Sequence, residues 1–220
     1  MNRNEAVKIF EASPIYGITA EHLSAGRKNI EVVQAMLDGG LRFIQYREKE
    51  KKAGVMYEEC MAIRALTKKY QAVFVVDDFI DLAIAVDADG VHIGQEDLPP
   101  QVVRQMVGPD KVIGFSTHNP SQLDAANQIS GLLDYLGVGP TYETHTKKNP
   151  APVAGLDYVQ YAAQHSVLPF VAIGGIKEHN IADVARAGAT HAAVVSEIVG
   201  AADIPAKIHS LRQQIEGIDS

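Results

Sequence analysis

VFVVDDFIDLAIAVDADGVHI, residues 73–93, holds one full cycle of the pattern that decides the fold. The apolar run VFVV (73–76) reads as a short strand. Asp77 and Asp78 break it, residues 79–86 read as a helix, and GVHI (90–93) reads as the next strand. Both strand segments are continuously apolar rather than alternating. That is the mark of parallel strands buried on both faces.

The same unit recurs outward in both directions. IYGIT (15–19), FIQYR (43–47), VIGFS (112–116), YLGVG (135–139), FVAI (170–173) and AAVVS (192–196) complete a set of eight runs. They begin about 25 residues apart, roughly the chain that a strand, a turn and a helix consume. Amphipathic stretches lie between them, at 30–37, 57–70, 99–107 and 205–215. Asn119-Pro120 reads as a helix cap followed by a first-turn proline. Eight β/α pairs predict an α/β protein with a (β/α)8 TIM barrel over residues 1–220, as a single domain. An open doubly wound sheet would carry fewer strands and a Gly-x-Gly-x-x-Gly turn after the first. Here the first run leads into AEHLSAGRK. The segments ADGVHIGQ, LDYLGVGP and ATHAAVVS are weakly similar to one another, as repeated half-units would be.

The chain has 220 residues, 46% hydrophobic and 21% charged, with a formal net charge of −7. That composition excludes a disordered or fibrous chain. It also argues against a protein that grips nucleic-acid backbone, which is more often basic. Any phosphate must be met by a few local cations. Cys60 is the only cysteine, so there is no intramolecular disulfide and no multi-cysteine metal site. No run of about 18 apolar residues is present to span a membrane, and the first residues lack a signal core. The expectation is a soluble, cytoplasmic protein; a homo-oligomer is left open.

In such a barrel the chemistry sits at the C-terminal ends of the strands, and those positions are polar here. Arg47 and Lys49 lie two apart and share a face. A guanidinium beside an ammonium suits phosphate or diphosphate; the bland alternative is solvated charge, since Glu50, Lys51 and Lys52 follow. Asp78 and Asp97 end successive strands. They can share Mg2+, or each can cap the helix that follows. Thr144-His145-Thr146-Lys147-Lys148 lies in a long loop, and its hydroxyls and lysines again suit phosphate. Gly174-Gly175 lets backbone N–H groups approach an anion. His92 reads as barrel-interior structure, and His118 ends the fifth run within reach of the site. No zinc-binding spacing occurs. Ser116 lacks a nucleophile elbow, so acyl chemistry is unsupported. Cys60 reads as a buried apolar residue.

Taken together, GLRFIQYREK, VDDFIDLAIAVDADGVHIGQEDL, VIGFSTH, YLGVGPTYETHTKK, FVAIGGI and VVSEI resemble the thiamin phosphate synthases, in order and from about Tyr16 to the last helix. The resemblance implies an enzyme that joins hydroxymethylpyrimidine diphosphate to a thiazole phosphate with Mg2+, releasing diphosphate. It implies that Gln45 meets the pyrimidine and that Arg47, Lys49, Ser116 and Lys147 meet the diphosphate. Asp78 and Asp97 would hold Mg2+, and Thr144, Thr146, Gly175 and the Ser196 turn would hold the thiazole phosphate. One departure stands out: the family usually has Asn-Asp after the third strand, where this chain has Asp77-Asp78. A carboxylate cannot donate to a phosphate oxygen as an amide can. Asp77 would therefore either add a metal ligand or weaken diphosphate binding. The rivals are a sister barrel that tautomerises the thiazole precursor, with His118 or His145 as acid–base group, and a non-catalytic binder of thiamin precursors.

Overall fold

A computed structural model of the chain describes residues 1–144, 146 and 151–217. The first half runs α1 (Arg3–Glu11), β1 (Ile15–Ile18), α2 (Asn29–Asp38), β2 (Phe43–Tyr46), α3 (Ala53–Lys69), β3 (Val73–Asp77), α4 (Ile80–Ala85), β4 (Gly90–Ile93) and α5 (Pro100–Val107). The second half runs β5 (Val112–Thr117), α6 (Pro120–Gln128), β6 (Tyr135–Val138), α7 (Gly155–His165), β7 (Phe170–Ile173), α8 (Ile181–Arg186), β8 (Ala192–Ala193), α9 (Val195–Gly200) and α10 (Ile204–Glu216). The strands are parallel and close in sequence order, β1 through β8 and back to β1. The expected α/β barrel is the observed one.

Every strand but β4, whose apolar side chains all lie in the outer cluster, divides its side chains between two apolar clusters. Outward-facing residues such as Ile44, Phe74, Val76, Ile113 and Leu136 pack under the helices. Inward-facing ones, including Ile18, Phe43, Val73, Val75, Val112 and Val171, fill the barrel. Burial on both faces explains why the strands are uniformly apolar. Cys60, on α3, is fully buried in the outer layer, and burial pushes its thiol up to about 12.

Helix α1 was not foreseen in the sequence. Asn2 and Glu5 form a reciprocal capping box at its start. Ala6 and Phe10, one turn apart, then enter the barrel from the N-terminal end of the strands. The Phe10 ring lies 4.7 Å from Tyr135 and 5.2 Å from Phe43 between centroids. The helix plugs the floor, and the cavity among the described residues opens at the other end. A second correction concerns the last run, AAVVS. Only Ala192 and Ala193 form β8, and α9 begins at Val195.

The weak internal repeat has a structural meaning at the floor. Asp89 precedes β4 and Asp134 precedes β6, and each is nearly fully buried. Asp89 accepts from the Phe74 N–H at 2.9 Å and from both Arg64 terminal nitrogens, at 2.7 and 3.0 Å. Asp134 accepts from the Ile113 N–H at 2.8 Å and from Arg104 at 3.0 Å. In both units an aspartate ties the start of its own strand to the strand before, neutralised by an arginine from the helical layer.

Candidate active site

The strand register builds the site. Gln45 pairs with Val75 and Tyr46 with Val76, so one further step sets Arg47 beside Asp77. Gln45, Arg47 and Asp77 therefore share the inward face of adjacent strands. The Arg47 guanidinium lies 3.4 Å from Asp77, and Lys49 lies 3.8 Å from the same oxygen. Asp78 adopts a left-handed backbone (φ 62°) that turns the chain at the strand end, and its carboxylate pairs with Lys49. Arg47 and Lys49 thus converge at the rim.

A cavity of about 370 Å³ opens at the C-terminal ends of the strands. Its base is a chain of hydrogen bonds across five strands. The Gln45 amide donates to the Tyr16 hydroxyl at 3.0 Å, and Tyr16 and Tyr135 hydroxyls meet at 2.7 Å. The Tyr135 hydroxyl lies 3.0 Å from His92 Nδ1, and His92 Nε2 lies 2.9 Å from Ser116 Oγ. Burial raises both phenols far above their ordinary range, so each keeps its proton. A run from Gln45 through Tyr16 and Tyr135 to His92 Nδ1 gives the Tyr16 proton an acceptor among the described residues. It leaves Nε2–H to donate to Ser116 Oγ. His92 is interior structure, as expected, and it sets the orientation of a site residue. Gly114 makes room for this chain: a Cβ there would collide with Tyr135 and His92.

The β7–β8 side of the cavity is a second polar surface. Thr144, Thr146, Gly175 and Ser196 all line it. Gly175 has φ 64°, and a Cβ on it would strike the Glu143 carbonyl, so glycine is required there. Asn180 fixes the turn, donating to the Gly175 carbonyl at 3.2 Å and accepting from the Lys177 N–H at 2.7 Å. Lys177 was missed in the sequence. Its Nζ donates to Ser196 Oγ at 2.6 Å, and it forms no ion pair among the described residues. A lone lysine after Gly-Gly carries little signal until the chain folds back.

The remaining candidates separate. Asp78 does not cap α4, whose N-cap is Phe79 without a side-chain bond. Nor does Asp97 cap α5, where Pro99 holds that position. Asp97 instead closes its own turn, accepting from the Gly94 N–H at 2.6 Å. His118 lines the cavity and holds its Nδ1 on the Gly139 carbonyl at 2.7 Å. His145, Lys147 and Lys148 lie outside the described residues. No described group of three or more His, Cys, Asp or Glu side chains is placed to hold a metal. No helix among the described residues is long and apolar enough to cross a membrane.

A sequence profile described as thiamine monophosphate synthase matches residues 15–198, every strand of the barrel included. The chain belongs to the thiamine monophosphate synthase family. Within that family it is 54% identical over 198 residues to the thiamine-phosphate synthase of Pelotomaculum thermopropionicum, covering 90% of each chain. It is 49% identical over 211 residues to the Caldicellulosiruptor saccharolyticus thiamine-phosphate synthase, covering 96% of this chain and 95% of the other. The solved thiamine phosphate pyrophosphorylase from Pyrococcus furiosus superposes with a TM-score of 0.84 at 33% identity. That match covers 99% of this chain and all of that one.

Proposed function

We propose that this chain makes thiamin phosphate from hydroxymethylpyrimidine diphosphate and a thiazole phosphate, with release of diphosphate. The supporting observation is one cavity with two separate polar surfaces suited to anions. Arg47 and Ser116 line the β2–β5 side, with Lys49 at the rim on Asp77 and Asp78, and Thr144, Thr146, Gly175 and Ser196 line the β7–β8 side. A tautomerase of the thiazole precursor needs only the second surface.

Gln45 would meet the pyrimidine ring. One of its two amide hydrogens is committed to Tyr16, which leaves its carbonyl oxygen and its second N–H for the substrate. The pyrimidine amino group pushes electrons toward its methylene carbon, so the carbon–oxygen bond can break before the thiazole nitrogen attacks. Arg47 and Lys49, with Lys147, would take up the charge growing on the departing diphosphate. The two surfaces would hold the rings in attack geometry. No strong general base is required.

A Mg2+ ion suits the donor set. Asp78 and Asp97 offer hard carboxylate oxygens, and Mg2+ is commonly held by one or two carboxylates plus substrate phosphate and water. Bound there, it would neutralise diphosphate charge. Asp78 would then exchange its Lys49 partner, freeing that ammonium for the leaving group.

Purified protein with both substrates and Mg2+ should yield thiamin phosphate and diphosphate by mass detection, and EDTA should stop the reaction. Tight binding of both substrates by folded protein without product would instead identify a binding paralogue. Lys147→Ala should lower turnover strongly with the fold intact; unchanged kcat and KM would remove Lys147 from the site. Lys177→Met should raise KM for the thiazole phosphate about tenfold, the value of one charge-assisted hydrogen bond. KM for the pyrimidine diphosphate should stay put. Equal changes in both would mean that the turn had moved.

A further inference from the structure

Asp77 puts a negative charge where an anionic substrate is expected. It lines the cavity, is 8% exposed, and approaches Arg47 and Lys49, the cations assigned to the diphosphate. An ionised carboxylate accepts hydrogen bonds but offers none to a phosphate oxygen. In a half-enclosed site such a charge is poorly screened. We infer that Asp77 is the resident counter-anion of the diphosphate site. It holds Arg47 and Lys49 in position before substrate arrives and competes with diphosphate for them afterwards. This rests on the synthase reading and deepens it.

Two facts of the fold support this role. The β2–β3 register sets Arg47 and Asp77 side by side on the inward face, and their side chains lie 3.4 Å apart there. And Asp78, not Asp77, takes the left-handed backbone that ends the strand. Asp77 is the carboxylate that reaches both cations, while Asp78 meets Lys49 alone and can exchange it for a metal. Diphosphate would then bind less tightly than the cations alone would allow. Because affinity differences within one site fall mostly on the dissociation rate, the product would also leave faster.

The test is calorimetric titration of inorganic diphosphate with Mg2+ into the unaltered protein, Asp77→Asn and Asp77→Ala. Asn keeps the shape and adds an amide donor; Ala removes the charge and adds none. Both variants should bind diphosphate about tenfold more tightly, and product inhibition by diphosphate should strengthen in the same proportion. A purely structural Asp77 would give weaker binding in both. Tightening in Asn alone would assign the effect to the amide and overturn the inference. Weaker binding together with a higher Mg2+ requirement would make Asp77 a metal ligand and also overturn it. If the unaltered protein binds no diphosphate, the synthase reading falls as well.

Discussion

Replacing Arg47 by alanine should lower kcat by about 10²- to 10³-fold, the usual cost of removing a preorganised group that meets developing charge. The loss should fall on kcat more than on KM. Arg47 would interact with substrate diphosphate in both states, but the extra negative charge appears only as the carbon–oxygen bond breaks. Arg47→Lys should recover part of the loss, because an ammonium restores charge without the two-pronged geometry. The fold should survive, since Asp77 keeps Lys49 within 3.8 Å. Steady-state kinetics and circular dichroism check both halves. A rise in KM with kcat unchanged would place Arg47 in substrate capture alone.

The largest effect on stability should come from the opposite end of the barrel. Asp89→Ala leaves Arg64, 6% exposed, facing an apolar layer without its two-pronged partner. It also orphans the Phe74 N–H at the start of β3. Breaking one side of a buried ion pair costs about 3–5 kcal/mol. For a chain of this size that is a fall in Tm on the order of 10 °C. Scanning calorimetry would measure it. Asp87 lies 3.7 Å from Arg64 but is mostly exposed. A loss below about 1 kcal/mol would mean that Arg64 had turned outward to Asp87.

The eight strands were legible because double-sided burial writes itself as uninterrupted apolar runs. The caps were legible where a single side chain does the work: Asn119 accepts from the Gln122 N–H at 3.0 Å, as Asn119-Pro120 promised. Helix α1 was not read, although Asn2 and Glu5 and the spacing of Ala6 and Phe10 carry its signal, because its partners are strands scattered along the chain. Position, not composition, made the site readable: Arg47, Lys49, Asp78, Thr144, Thr146, Gly175 and Ser196 follow strands, and the barrel gathers strand ends. What the sequence hid were contacts between distant elements. The Tyr16–Tyr135–His92 chain joins residues up to 119 positions apart. The seat of Lys177 on Ser196 depends on the return of β8 beside β7. The Asp77–Arg47 pair needs the register of two strands, which no local pattern states.

Cys60 makes this protein its own unfolding gauge. A single thiol, fully buried and held protonated far above neutral pH, is closed to alkylating reagents while the helical layer is shut. Each molecule that opens takes one mass tag and no more. The labelling rate therefore counts openings of the layer beneath α3 without any engineered probe. Asp89→Ala, which loosens an anchor of that same helix, should be marked sooner than Arg47→Ala, which leaves it alone.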